Sequence, residues 1–394
     1  MSLPLDGLLV VDFSQFLSGP LCSLKLADMG ARVIKVERPG VGDLCRTLYL
    51  SDTEIGGTNS LFHAINRNKE SFTADLRDDA DRAMLRALVA RADVVLQNFR
   101  PGVIERQGFG YADVRSLNPG VVYGSISGYG TDGPWVDLPG QDLLAQARSG
   151  LMWLTGSAGD PPMPMGLAVA DMMAGNALVQ GVLAALVRKG RTGQGGKVET
   201  SLLEALLDFQ FEVLTTHLND GGRLPARAAV GGAHAYLGAP YGVYQTGDGW
   251  LALAMTPSLE RLAELMHLPD LRRWDGARAA MQDRDAIKAI LAAGIRLHPT
   301  AHWLGLLQPA DIWCAEVLDW PDLLQSAAFA RLDMVQDIHN DGVHLKTICG
   351  PLRFDGARAV HPRAAPGLGA DRDRLIKEFA LGQTAPTGDD GKAP

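Results

Sequence analysis

Short apolar runs alternate with helix-spaced segments through the first half of the chain. Leu8 to Phe13 is such a run; Leu21, Leu24 and Ala27 then recur at helical spacing within Pro20 to Met29, Gly30 stands where a helix needs its cap, and Ala31 to Glu37 is a second run. That order predicts a βαβ unit. The alternation goes on with a helix over Asp81 to Ala92, carrying Met84, Leu85, Leu88 and Val89, then strands Val94 to Gln97 and Val121 to Ser127. Leu143 to Met152 and Asp171 to Arg188 have helical spacing, a turn follows over Arg191 to Lys197, and Val198 to Ser201 is a further strand leading into a helix that runs through Leu214.

Strands separated by helices imply a parallel sheet covered on both faces, so the fold class expected is α/β, a doubly wound, mostly parallel, Rossmann-like large domain with a smaller α+β domain. The periodicity breaks at Gly221, where Gly, Ala and Arg replace apolar positions. Tyr241 to Tyr244, the Gly247-Asp248-Gly249 turn and Trp250 to Ala254 then read as a hairpin, helices follow to about Trp320, and mixed strand and turn character returns from Asp322. The expected division is 1–220 for the large domain, 221–238 for a linker, 239–321 for the small domain, 322–382 for a return to the large one, and 383–394 for a flexible tail of small and polar residues.

Composition narrows the function classes. A formal charge of -8 over 394 residues argues against nucleic acid as a partner, because duplex affinity comes largely from cations that neutralise phosphates. The apolar stretches, such as Val182 to Val187, are shorter than the roughly 20 residues of a bilayer span, so no membrane association and a cytoplasmic location are expected. Cys22, Cys45, Cys314 and Cys349 lack paired spacing, and His63, His217, His267, His298, His302, His339, His344 and His361 lack ligand spacing, so no metal and no permanently bound cofactor are expected. Within this acidic chain, basic residues gather in the first third, at Arg38, Arg46, Arg77, Arg100 and Arg106 among others. Such a patch suits a small polyanion, and equally a solvated helix face.

The first strand-to-helix turn is where a doubly wound sheet normally meets its ligand, yet Phe13 to Pro20 lacks the GxGxxG by which a backbone approaches a pyrophosphate. A dinucleotide is disfavoured, even with Glu37 at the end of the second strand. Asp171 stands between the small-residue segment Gly166 to Ala170 and a long apolar helix, which places a carboxylate at or near a helix N-terminus. Read alone it is an N-cap. Its neighbours change that reading.

Leu5-Asp-Gly, the segment Leu26 to Gly40, Asn66-Arg-Asn-Lys, Asn98-Phe-Arg-Pro-Gly, Ser125-Ile-Ser-Gly-Tyr-Gly and Gly193 to Ala205 resemble, in order and spacing, the family III CoA-transferases of the CaiB/BaiF group. The resemblance is dense from Leu3 to about Leu206 and thin afterward. It implies that Asp171 is the catalytic nucleophile, that Arg38 flanks the adenine of coenzyme A, and that Ala74, Arg77, Asn98, Phe99 and Arg106 make further CoA contacts. It also implies a substrate pocket drawing on Gln15, Leu17, Gln141, Asp142, Gly231, Gly232 and His234, with backbone amides of Gly231 and Gly232 as candidate oxyanion donors.

By that resemblance the substrates are an acyl-CoA thioester and a carboxylic acid, the assembly is an interlocked homodimer, and CoA passes through an aspartyl-CoA thioester. Guanidinium groups suit phosphates and a purine face, and a desolvated carboxylate held beside a thioester suits the attack. Leu17 stands where formyl-CoA transferases carry glutamine, which favours a bulkier or less polar acid than oxalate. Two alternatives stay open. One is a 2-methylacyl-CoA racemase, disfavoured because Gln141 replaces a histidine that such enzymes use to move a proton; the other is a CoA- or nucleotide-binding protein without turnover.

Overall fold

The computed structural model describes residues 3–48, 53–256, 258–274, 276–340, 342–360 and 363–382. The expected flexible tail at 383–394 and His361 lie outside them. The chain divides into two compact units. One comprises 1–145, 168–206 and the chain from Asp333; the other comprises 146–167 and 207–332. The return to the first unit thus comes at Asp333 rather than near Asp322, and the loop 146–167 joins the second unit.

The first unit is built on six strands: β1 (Leu9–Asp12), β2 (Arg32–Glu37), β3 (Lys69–Thr73), β4 (Val94–Gln97), β5 (Val122–Ser127) and β6 (Gly196–Ser201). Every pairing is parallel, in the order β3-β2-β1-β4-β5-β6. Val10 lies opposite Val33 on one side and Val94 on the other. This order reverses between β1 and β4, and a sheet of this kind opens a crevice for ligand at the carboxyl ends of those two strands. Leu9, Val11, Val95 and Tyr123 join Leu85 and Leu88 of the helix Asp79–Val89 in the main core.

Strand β3 has no apolar signature, and the sequence pattern does not reveal it. Its polar side chains are buried with partners. Lys69 donates to the Pro20 carbonyl at 2.9 Å and to Asn66 at 2.8 Å, Glu70 receives Arg32 at 2.7 Å, and Ser71 donates to Glu37 at 2.7 Å. Satisfied polar groups can lie in an interior that orphaned ones cannot.

Two helices matter most for the site, α1 (Ser18–Asp28) and the longer α3 (Val169–Thr192), with α2 (Asp142–Arg148) between them in sequence. Helix α3 is long and apolar enough to cross a membrane by length and composition, which the reading of shorter apolar runs does not register. Val169, Ala170, Ala174, Leu178 and Val182 are buried, and α3 packs on α1, β5 and β6. A Cβ on Gly175 would stand 2.7 Å from the Ser18 carbonyl, so only glycine lets the two helices approach this closely.

The second unit has its own core. Strands β7 (Gly242–Gln245), β8 (Trp250–Leu253) and β9 (Cys314–Glu316) form an antiparallel sheet, the first two being the expected hairpin. Leu251 of β8 packs with Leu262, Ile287, Leu291, Trp303 and Leu307 in this core. Beyond Leu332, β10 (Val335–Asn340) and β11 (Val343–Ile348) form an antiparallel hairpin of the first unit.

Candidate active site

The reversal point of the sheet is closed by one side-chain amide. Asn98, just past β4, receives the Gln15 N–H at 2.8 Å and donates to the Gln15 carbonyl at 2.7 Å, tying the loop after β1 to the end of β4. The same amide lies 3.4 Å from the Ser18 hydroxyl. Ser18 opens α1 and hydrogen-bonds the Asp171 carboxylate. A chain of contacts therefore runs from the crevice to Asp171.

Asp171 is the third residue of α3, whose cap position is Ala168, so the N-cap reading is replaced. Ala168 has no polar side chain to cap with. Asp142 supplies the missing acceptor from α2: one of its oxygens takes the Ala170 N–H at 2.7 Å and the Asp171 N–H at 3.3 Å. This capping from another helix satisfies two of the free donors at the start of α3. It depends on the bend before α2, where Gly128 and Gly140 meet backbone to backbone; a Cβ on Gly128 would stand 2.5 Å from the Gly140 Cα.

Burial, and next the Asp142 charge, raise the Asp171 carboxyl to about 6, while the Ser18 hydroxyl pulls the other way. At neutral pH it is an anion with little solvation. That is the state in which a carboxylate is most reactive toward an acyl carbon.

The loop between β1 and α1 rests on a buried ionic frame. Lys35 meets Asp43 at 2.7 Å and donates to the Ser14 carbonyl at 2.8 Å, and the other Asp43 oxygen receives the Phe16 N–H at 3.1 Å. Lys69 lies 3.4 Å from Asp12, which receives Ser14 and Ser23. Burial lowers the Lys69 amine to about 8, with Asp12 opposing. Phe16 is held at φ 62°, a conformation that bulky residues rarely adopt, and is 44% exposed. Leu17 is half-buried and packs on one side toward Cys45, Phe62, Ile65 and Ala365. The loop thus presents Phe16, which chain order alone does not show.

The candidate CoA contacts follow the carboxyl ends of the strands. Arg38 succeeds β2 and is exposed; Ala74 and Arg77 succeed β3; Asn98 and Phe99 succeed β4; Arg106 ends the short helix Val103–Arg106 and is exposed. Ala74 is only 3% exposed and its N–H is spent on the Glu37 carbonyl. Arg77 forms a fork with Asp75 at 3.1 and 2.9 Å, and this pairing holds the Asp75 carboxyl down at about 2. Phe99 is half-buried against the core. Glu37 is gripped by Arg46 at 2.8 and 2.7 Å, which occupies the acid that a ribose would need.

Gln141 is exposed beside Asp142. Gly231, Gly232 and His234 belong to the second unit. There the Gly231 carbonyl receives Lys288 at 2.8 Å, and a Cβ on Gly232 would stand 2.5 Å from the Gly156 carbonyl. His234 receives the Tyr236 N–H on Nδ1 at 3.2 Å, which leaves Nε2 to donate to Glu212 at 2.7 Å.

Comparison with known proteins adds to this geometry. The profile of CoA-transferase family III matches residues 5–372. An acetyl-CoA:oxalate CoA-transferase of Acetobacter aceti is 34% identical over 384 residues, covering 96% of each chain. A succinyl-CoA:mesaconate CoA-transferase of Haloarcula hispanica is 33% identical over 389 residues, covering 96% of this chain and 97% of that one. Among solved structures, a CaiB/BaiF family protein from Brucella suis superposes with a TM-score of 0.83 at 30% identity, covering 96% of this chain and 100% of that one.

Proposed function

The chain belongs to CoA-transferase family III and is a transferase of CoA between acyl-CoA thioesters and carboxylic acids; from that premise we propose that Asp171 carries the acyl and CoA groups covalently. The observation that supports this most is the desolvated Asp171 carboxylate at the start of α3, joined through Ser18 and Asn98 to the crevice of the sheet.

The steps balance as follows. An Asp171 oxygen attacks the thioester carbon of the donor, and the C–S bond breaks to give a mixed anhydride and CoA thiolate. The thiolate attacks the aspartyl carbon, releasing the donor acid as carboxylate and leaving an aspartyl-CoA thioester. The acceptor carboxylate attacks that thioester, freeing thiolate again, and the thiolate takes the new acyl group. Asp171 returns as carboxylate. No proton is needed in net transfer, which suits a site whose Gln141 cannot cycle one and favours transfer over racemisation.

Arg38, Arg77 and Arg106 hold the nucleotide end of CoA in this reading, with Asn98 and Phe99 along its length. The names of the two curated relatives support acceptors that are short carboxylic acids. Incubation with acyl-CoA and hydroxylamine is expected to convert Asp171 to its hydroxamate, seen by peptide mass spectrometry. Turnover surviving in Asp171→Ala, or label on another residue, overturns the proposal. The resemblance also supports an interlocked homodimer. Differently tagged chains mixed without denaturant are then expected to stay unmixed for hours, because exchange requires unfolding, and rapid mixing overturns interlocking.

A further inference from the structure

The outer face of the β10–β11 hairpin carries a cluster that the transfer reaction does not use. Its register sets Ile338 opposite Leu345 on the buried face, where both pack with Ala364. Alternation then places His339 opposite His344, and Asp337 opposite Lys346, on the solvent face. Histidines five residues apart in sequence thus become direct neighbours. Chain spacing alone hides the pair, and the register reveals it.

From this arrangement we propose that Asp337, His339 and His344 form a surface site for a divalent transition-metal ion of the zinc class. One Asp337 oxygen lies 3.1 Å from His339 Nε2 and 2.7 Å from His344 Nε2, and all three donor atoms fall within 4.8 Å of one another. Ligands around tetrahedral zinc stand about 3.3 Å apart, given metal–ligand bonds of roughly 2.0–2.1 Å. Opening the cluster by a few tenths of an ångström therefore admits the ion, and exposed side chains turn that far at little cost.

The two imidazoles stack at 4.1 Å and 15°, which brings their Nε2 atoms to the same carboxylate oxygen. Both Nε2 atoms now face that acceptor; on binding, each ring carries its proton on Nδ1 and offers Nε2 to the metal. The donor set of two imidazoles and one carboxylate suits zinc, nickel or copper(II) over magnesium or calcium. It leaves one position for water. Lys346, 4.0 Å from the other Asp337 oxygen, opposes the ion by charge and competes for Asp337.

The test is calorimetric titration of metal-stripped, untagged protein with zinc ion at pH 8. One ion per chain is expected to bind to the native protein. His339→Ala and His344→Ala are each expected to weaken binding at least ~10-fold, the lower end of the loss caused even by removing a partner behind a ligand. Lys346→Ala is expected to strengthen it. His298→Ala with His302→Ala removes another stacked pair and is expected to change nothing. The proposal is overturned if the native protein takes up no zinc at 0.1 mM protein (about that order, tight enough for a site of this kind), or if binding survives in the His339→Ala, His344→Ala double variant. CoA-transfer activity is expected to be unaffected, so this result stands apart from the fate of Asp171.

Discussion

The two ends of the candidate site are built on opposite terms. At the end proposed to react, Ser18 is buried and Asp171 and Asp142 are half-buried, each held by named partners, and the Asp171 carboxylate is shifted by its surroundings. At the end proposed for the nucleotide, Arg38 and Arg106 are exposed, and the exposed Arg77 pairs with the half-buried Asp75. Chemistry requires a group held in place and stripped of water, whereas a flexible polyphosphate is met well enough by mobile guanidinium groups. The comparison teaches where substitutions should act: on rate and stability at one end, on affinity and its salt dependence at the other.

The sharpest way to break that contrast is Asp171→Asn. Turnover is expected to fall at least ~10³-fold, as loss of a nucleophile does, with CoA binding retained. Stability is expected to move the other way. The folded-state carboxyl is raised from 3.8 to about 6, so the folded chain binds the extra proton and loses stability relative to the unfolded chain as pH rises through that window. The asparagine variant escapes this loss, worth at most ~3 kcal/mol for two pKa units. Its Tm should exceed that of the native protein at pH 8, and the difference should close toward pH 4. Equal Tm values at pH 8 would mean the carboxylate is not desolvated.

Much of the fold was legible from periodicity because the strands of the sheet centre are apolar and the helices between them are amphipathic. Strand β3 escaped because Lys69, Glu70 and Ser71 are buried through partners distant in sequence, Arg32 and Glu37 among them. Asp171 is singled out by its place before an apolar helix and by resemblance, yet its raised pKa comes first from burial and then from Asp142, 29 residues earlier. Leu17 and Phe16 show the limit of reading by position. Phe16 is exposed and Leu17 half-buried because Phe16 adopts a left-handed backbone, and the Asp43 contact that holds Phe16 there is a tertiary one. The His339–His344 pair was invisible for the same reason, since register is set by strand pairing.

A substitution of intermediate effect separates position from charge at the reacting end. Asp142→Asn keeps an oxygen for the Ala170 and Asp171 N–H groups and removes the negative charge that raises Asp171. The acid limb of kcat/KM, expected near pH 6 in the native enzyme, should then move down, while the rate at pH 8 changes little because Asp171 is already ionised there. Asp142→Ala removes the cap as well and should cost ~1 kcal/mol of stability besides. An unmoved acid limb in Asp142→Asn would leave burial alone as the cause of the shift.

The smallest effects belong to the nucleotide end, and there the direction is more telling than the size. Arg38→Ala should raise KM for the acyl-CoA by ~10-fold with kcat held, the signature of binding energy used equally in ground and transition states. Arg77 differs from Arg38 because its fork is already turned onto Asp75. To meet a phosphate it must leave that carboxylate. Asp75→Asn keeps an oxygen for the Arg77 N–H, which it now receives at 3.0 Å, but surrenders the charge. The freed guanidinium should then lower KM by ~2-fold at low salt, and the gain should vanish near 0.5 M salt, where charges on an exposed surface are screened within about 5 Å. Arg77→Ala should abolish the gain in a double variant. An Asp75→Asn enzyme with unchanged KM at low salt would remove Arg77 from the phosphates and leave Arg38 and Arg106 to hold them.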